Sequence, residues 1–245
     1  MSGPDDAGDW FRVAFGPHYR AVYASRDDAS ADRETAFAFD ALKLTSGARL
    51  LDAGCGDGRH LAAWGRRGVV ACGVDLSPEL LAVARARGLR RLCRADVRAL
   101  PFVDGAFDAV TSFFTSFGYF DDAGDRRHFA ELARMLRRGG RLALDLPDRA
   151  RLEATLEPET VRDLPEHRMR ARRRLEGDRV VKVVELTPRR GGPPTTYRES
   201  VRLYRPAEVE ALAAERGLRI AAVYGGFDGR AFGAGDRAIY VAEAA

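Results

Sequence analysis

Short apolar runs that end in a carboxylate or a glycine turn recur along the first 150 residues, each followed by helical spacing. Leu50 and Leu51 lead into Asp52, glycines follow at 54, 56 and 58, and an apolar helical pattern resumes at Leu61. That order predicts a buried strand, a tight turn and a helix start. A second strand over 69–74 ends in Asp75, and a third short one ends at 93–97. A fourth spans 107–114, and a helix leads through 135–142 into a fifth, with Gly139 and Gly140 as helix stop and turn. From 167 onward the period changes. Segments 167–175, 179–186 and 195–204 alternate apolar and polar with period two, separated by Glu176-Gly177-Asp178 and by a longer loop over 189–194. These read as three antiparallel strands. A helix over 207–216, stopped by Gly217, then leads to strands over 218–224 and 237–242. Ahead of all this, Trp10, Phe11, Val13, Phe15, Tyr19, Val22 and Tyr23 are spaced so that part of a leader helix is apolar on one face.

The pattern divides the chain of 245 residues into a helical leader (1–45), a core (46–150), an inserted antiparallel sheet (151–205) and a segment that completes the core (206–245). Composition adds little to this. The net charge of +4 is small beside 36 acidic residues, and Lys43 and Lys182 are the only lysines, so the positive charge is nearly all arginine. That bias carries no nucleic-acid signature by itself. No apolar run approaches the roughly 20 residues that span a bilayer, and the acidic N-terminus lacks the basic-then-apolar pattern of a signal peptide. Cys55, Cys72 and Cys93 lie near strands without metal-ligand spacing and read as small buried residues of a reducing cytoplasm, with no metal expected. The expectation is a cytoplasmic protein, monomer or homodimer, with no membrane partner.

The glycine turn is where the chemistry begins. Glycine has no Cβ and tolerates positive φ, so the turn lets backbone approach a ligand closely. The spacing G-x-G-x-G is not that of a dinucleotide fingerprint, because Arg59 stands where the last glycine would fall. Asp75 at the tip of the second strand stands where an open α/β sheet grips ribose hydroxyls. Taken in order, the glycine turn, Asp75-Leu76-Ser77-Pro78, Ala95-Asp96-Val97, 107–114 and 135–142 closely resemble class I S-adenosylmethionine-dependent methyltransferases over roughly residues 45–148.

The resemblance implies an α/β fold: a Rossmann-like, doubly wound seven-stranded sheet with an antiparallel last strand, and a small antiparallel β lid inserted after strand five. It implies S-adenosyl-L-methionine as methyl donor and S-adenosyl-L-homocysteine as product. Residue by residue, Gly54 and Gly56 approach the methionine carboxylate, Asp52 accepts from the ammonium, and Asp75 takes the ribose hydroxyls. Asp96 accepts from the adenine amino group while Leu76 and Val97 hold the ring, and Ser112, Phe113 and Phe114 lie beside the methionine part. A finer likeness to a bacterial branch of small-molecule methyltransferases rests on 58–60, on Phe15-Gly16 with Tyr19 and Tyr23, on 114–122, and on 197–204. It makes Tyr19 and Tyr23 cofactor-lid residues and the 167–204 sheet a substrate lid or dimer surface.

The expected acceptor is a small molecule, aromatic or apolar given Phe113, Phe114, Phe117, Tyr119 and Phe120. In-line positioning supplies much of such a transfer. His18, Tyr119 and Asp228 are the favoured candidates for handling a proton, ahead of Tyr23 and His167; His128 is expected on the exposed face of its helix. For His60 both a place beside the cofactor and a packing role stand open, and Asp108 is expected to cap its strand. Two rival readings remain. Arg168, Arg170, Arg172 and Arg174 share one strand face, which makes either an RNA-binding stripe or, as preferred, a solvated outer face. A cofactor-binding protein without transfer activity is the other.

Overall fold

The computed structural model describes residues 10–16 and 18–245. The chain opens with helices α1 (Trp10–Ala14), α2 (Tyr19–Val22) and α3 (Asp28–Ala41). It then alternates strand and helix: β1 (Arg49–Ala53), α4 (Arg59–Arg66), β2 (Val70–Asp75), α5 (Pro78–Ala86), β3 (Leu92–Arg94), β4 (Phe107–Ser112), α6 (Asp122–Arg134) and β5 (Leu136–Pro147). After α7 (Arg149–Thr155) come β6 (Glu159–Asp163), β7 (His167–Glu176), β8 (Arg179–Pro188) and β9 (Thr195–Arg202). The chain closes with α8 (Pro206–Ala214), β10 (Leu218–Tyr224) and β11 (Arg237–Ala244).

Seven strands form one sheet in the order β10-β11-β5-β4-β1-β2-β3. The pairs β1–β2, β2–β3, β1–β4 and β4–β5 are parallel, while β11 runs antiparallel to both β5 and β10. The expected doubly wound sheet with an antiparallel last strand is therefore present. Strand order reverses between β1 and β4, which opens a crevice at their C-terminal ends. Successive residues of a strand face opposite layers. Leu51 and Val110 accordingly meet Phe129, Leu132 and Met135 on one side. Leu50 and Ala109 meet Leu42 and Trp64 on the other.

The inserted sheet has the order β6-β7-β8-β9, antiparallel throughout. It has four strands rather than the expected three. Strand β6 escaped the pattern because Glu159–Asp163 is mostly exposed and offers no apolar alternation. Met169, Ala171, Val184, Leu186 and Tyr197 turn inward and share one core with Trp10, Phe11, Ala14 and Val22 of the leader. Leader and inserted sheet are thus packed as one cover over the crevice.

Two further expectations are corrected here. Gly139 and Gly140 do not stop a helix: α6 ends at Arg134, and both glycines lie within β5. They occupy an irregularity where Phe107 pairs with Leu136 but Ala109 with Arg141. A Cβ on Gly140 would stand 2.8 Å from the Arg137 carbonyl oxygen. His128 is fully buried, not exposed. The segment bearing Phe117 and Phe120 folds back over that face of α6, with the Phe117 ring centroid 5.1 Å from the imidazole. Asp108 stands at the start of β4, where it accepts from the Arg49 backbone N–H at 2.7 Å and pairs with Arg137, as expected of a cap. Among the described residues no helix is long and apolar enough to cross a membrane.

Candidate active site

The turn after β1 is pinned to β2 by two backbone bonds, with the N–H groups of Gly54 and Cys55 donating to the Val74 carbonyl at 2.8 and 3.0 Å. Gly54 has φ +81°, and a Cβ there would stand 2.7 Å from Ser116 Oγ. Conformation and space both demand glycine at this position. Gly58 is left-handed and sits just ahead of α4, so the helix starts at once, and Arg59 and His60 of its first turn line the crevice.

Asp75 closes the turn from the neighbouring strand. One carboxylate oxygen accepts from Gly56 N–H and the other from Ser77 N–H, each at 2.8 Å. Burial pushes this carboxyl up, and the backbone donors partly oppose the shift. Asp52, 2 % exposed, accepts from Thr111 Oγ1 at 3.0 Å through Oδ1, while Oδ2 has no partner among the described residues. Burial raises Asp52 as well, against the pull of His60 and Arg59. Asp96 is held by Arg98 at 2.7 Å, and that bond keeps it below the usual carboxylate range.

Behind the turn lies a buried ion cluster. Glu34 of α3 meets Arg59 at 2.6 Å and His60 at 2.8 Å, and both basic side chains are only 7 % exposed. Burial pushes Glu34 up, but its bonds to His60 and Arg59 outweigh that and hold it low. The His60 ring stacks on Phe114 with 5.7 Å between centroids. His60 thus packs in the cluster and also lines the crevice.

Phe114 and Thr115 both have positive φ, +53° and +62°. Non-glycine residues pay roughly 1–2 kcal/mol for that conformation, so the turn needs support. Asp145 supplies it: its Oδ2 accepts from Phe114 N–H at 2.7 Å and its backbone oxygen from Thr115 N–H at 3.2 Å. Arg237 holds the other Asp145 oxygen at 2.7 Å and reaches Thr115 Oγ1 at 3.0 Å. This brace aims the Phe114 ring at the crevice.

The crevice is a cavity of about 420 Å³. From the core, Asp52, Gly54, Gly56, Asp75, Leu76, Asp96, Val97, Phe113, Phe114 and Tyr119 line it; from the leader, Tyr19 and Tyr23 do. Ser112 does not: it is fully buried, and its hydroxyl has no partner among the described residues. His18 and Asp228 also stand outside the lining. The His18 ring meets His167 edge to face at 4.9 Å, and Asp228 is exposed on its loop, held by Arg230 at 2.5 Å. Tyr23 ties leader to inserted sheet, donating to Glu199 at 2.9 Å and accepting from Lys182 Nζ at 2.7 Å.

The sequence reading missed Glu34, Lys182, Glu199, Asp145 and Arg237. Glu34 looks like any charged helix residue in sequence. An acid buried opposite an Arg-His pair 25 residues away has no local signature. Lys182 did carry a signal, being one of two lysines in an arginine-rich chain.

Comparison with known proteins fits this geometry. Residues 50–140 match a methyltransferase domain family. Demethylmenaquinone methyltransferase of Thermus thermophilus is 43% identical over 103 residues, covering 39% of this chain and 46% of that protein. The chain thus matches less than half the length of that relative. Among solved structures, CalS10 of Micromonospora echinaspora, an amino pentose methyltransferase with bound S-adenosylmethionine, is 26% identical. It covers 94% of this chain and 98% of its own, with a TM-score of 0.69. An S-adenosylmethionine-dependent methyltransferase of Clostridium acetobutylicum shares the fold at 20% identity and TM-score 0.78, covering 93% of this chain and 96% of its own.

Proposed function

We propose that this chain, which carries a class I S-adenosylmethionine-dependent methyltransferase domain, moves a methyl group from S-adenosylmethionine to a small-molecule acceptor. The observation that carries the reading is the convergence on one cavity of the glycine turn, Asp52 and Asp75 at the C-terminal ends of parallel strands β1 and β2, and Asp96 just beyond β3.

The residues fit the donor. Asp75 spends one lone pair of each oxygen on backbone N–H groups, which leaves a rigid, charged acceptor pair for two vicinal hydroxyls. Leu76 and Val97 offer apolar surface for a planar base, with Asp96 beside them as acceptor. The partnerless Asp52 oxygen is a buried acceptor that suits an ammonium, directly or through a water. When bound, the donor supplies an electrophilic methyl on a sulfonium whose charge disappears on transfer.

The remaining wall defines the acceptor. Phe11, Phe15, Tyr119 and Phe120 turn the leader side of the cavity into an aromatic surface that excludes water and holds a flat or apolar molecule in line with the methyl. Burial pushes the Tyr119 phenol well above its ordinary range, so it stays protonated near neutral pH and orients by donating a hydrogen bond rather than taking a proton. His18 and Asp228 stand outside the cavity, and the proposal gives them no part. The quinone and amino sugar in the names of two relatives are small molecules, which favours the same acceptor class. The RNA alternative loses ground on one observation. Arg170 and Arg172 share Glu159, and Arg174 pairs with Glu176, so three of the four guanidinium groups on this outer face already hold a carboxylate.

Incubation with methyl-labelled S-adenosylmethionine and host extract, separated into small-molecule, RNA and protein fractions, tests the reading. Label is expected in small molecules. Label confined to RNA or protein would refute the acceptor class, and no label together with no S-adenosylhomocysteine binding would refute the activity.

A further inference from the structure

Four arginines line the cavity, and three of them are matched by carboxylates. Arg59 meets Glu34 at 2.6 Å, Arg87 meets Asp28 at 2.8 Å and Asp57 at 3.1 Å, and Arg20 stands 3.6 Å from Asp57. Arg26 differs. Its side chain makes one hydrogen bond among the described residues, from Nη1 to the Tyr19 hydroxyl at 2.8 Å, and no ion pair. The guanidinium carbon lies 4.2 Å from the Tyr23 ring centroid and 4.9 Å from that of Phe114. The cation packs against both rings, and of its five N–H groups, all in the guanidinium plane, one is given to Tyr19 and four remain. The neighbouring acid, Asp27, is engaged in capping α3 through Ser30 N–H at 2.7 Å.

A half-buried guanidinium that is always charged and has no counter-ion is unfavourable unless something supplies one. Its planar fork matches a carboxylate in two-point geometry. We infer that Arg26 is the receptor for a carboxylate carried by a ligand of this cavity. The ring stacking holds the fork rigid in advance, and the Tyr19 hydroxyl fixes its rotation about the side-chain axis. Within the methyltransferase reading, on which this inference rests, that carboxylate has two sources: the amino-acid end of the donor, or an acidic acceptor such as an aromatic acid.

Calorimetry on the intact chain and on Arg26→Gln and Arg26→Lys separates them. The first arm compares S-adenosylhomocysteine with 5′-methylthioadenosine, which lacks the amino-acid end. The second compares benzoate with benzamide on protein saturated with S-adenosylhomocysteine. Arg26→Gln is expected to weaken the carboxylate-bearing member of one pair by tenfold or more and to leave its neutral counterpart within about twofold. Arg26→Lys, which keeps the charge but loses the fork, is expected to fall between. Loss on S-adenosylhomocysteine assigns the carboxylate to the donor, and loss on benzoate assigns it to the acceptor.

The inference is overturned if neither carboxylate ligand is weakened in either variant, or if charged and neutral members weaken together, which would make Arg26 a strut. Failure of the unsubstituted chain to bind either nucleoside would instead sink the proposed function. The two failures are therefore distinguishable.

Discussion

Asp75→Ala is the most direct perturbation of the donor site. Each Asp75 oxygen holds one backbone N–H of the wall at 2.8 Å and keeps a second lone pair for a ligand hydroxyl. Hydrogen bonds to a charged group contribute about 1.5–3 kcal/mol each. Two of them would set a ceiling near 6 kcal/mol. The buried carboxylate, however, already bears a desolvation penalty that pushes its protonation upward, which reduces what it returns to a ligand. A net loss of about 2–3 kcal/mol is expected, or ~30–150-fold in affinity at 25 °C. Calorimetric titration with S-adenosylhomocysteine reads it directly. Asp75→Asn separates ligand binding from support of the turn, since it keeps one acceptor for a backbone N–H and loses the charge. It should fall between the unsubstituted protein and the alanine variant. An affinity unchanged within threefold in Asp75→Ala, with thermal unfolding intact, would refute the assignment of the ribose hydroxyls to this side chain.

Glu34→Ala should lower unfolding free energy by about 3 kcal/mol in urea titrations, because it strands Arg59 and His60 in a site that is 7 % exposed; a loss below 1 kcal/mol would show that water enters the cluster freely. His128 is held down to about 3 by burial, and both ring nitrogens lack partners among the described residues. The unfolded chain takes up that proton near 6.5 and the folded one does not. This group's contribution to stability is therefore full above about 6.5 and falls as pH drops toward 3, by up to ~1.4 kcal/mol per pH unit. His128→Leu should remove that slope. Asp125 on the same helix, pushed up to about 6 mainly by burial, works in the opposite sense between about 4 and 6, so the measurement is the difference between variant and parent across pH. A difference that does not change with pH would contradict a neutral buried imidazole. Replacing Arg168, Arg170 and Arg172 together by Gln should leave small-acceptor turnover and S-adenosylhomocysteine affinity within twofold, because these side chains are exposed and lie on the face of the sheet away from the shared core. A large loss with steep salt dependence would restore RNA as the acceptor.

The sequence by itself determined the elements that local chemistry controls. Carboxylates at or just past the strand ends (Asp52, Asp75 and Asp96) and a glycine turn that requires positive φ are written in local sequence. The inward turn of Met169 and Ala171 follows from strand periodicity in the same way. These are short-range properties, and they carried most of the fold and most of the cavity wall into view. Tertiary structure decided what depends on distant partners. His128 became buried because a loop folds over a polar-looking helix face, and β6 formed because β7 offered it an edge. Phe114 holds a strained turn because Asp145 and Arg237, 31 and 123 positions further along, meet behind it. Among the described residues Arg26, between α2 and α3, stands without a carboxylate, while Arg20 on α2, Arg59 on α4 and Arg87 after α5 have theirs. Charge pairing and burial are properties of neighbours in space, and nothing in the spacing along the chain encodes them.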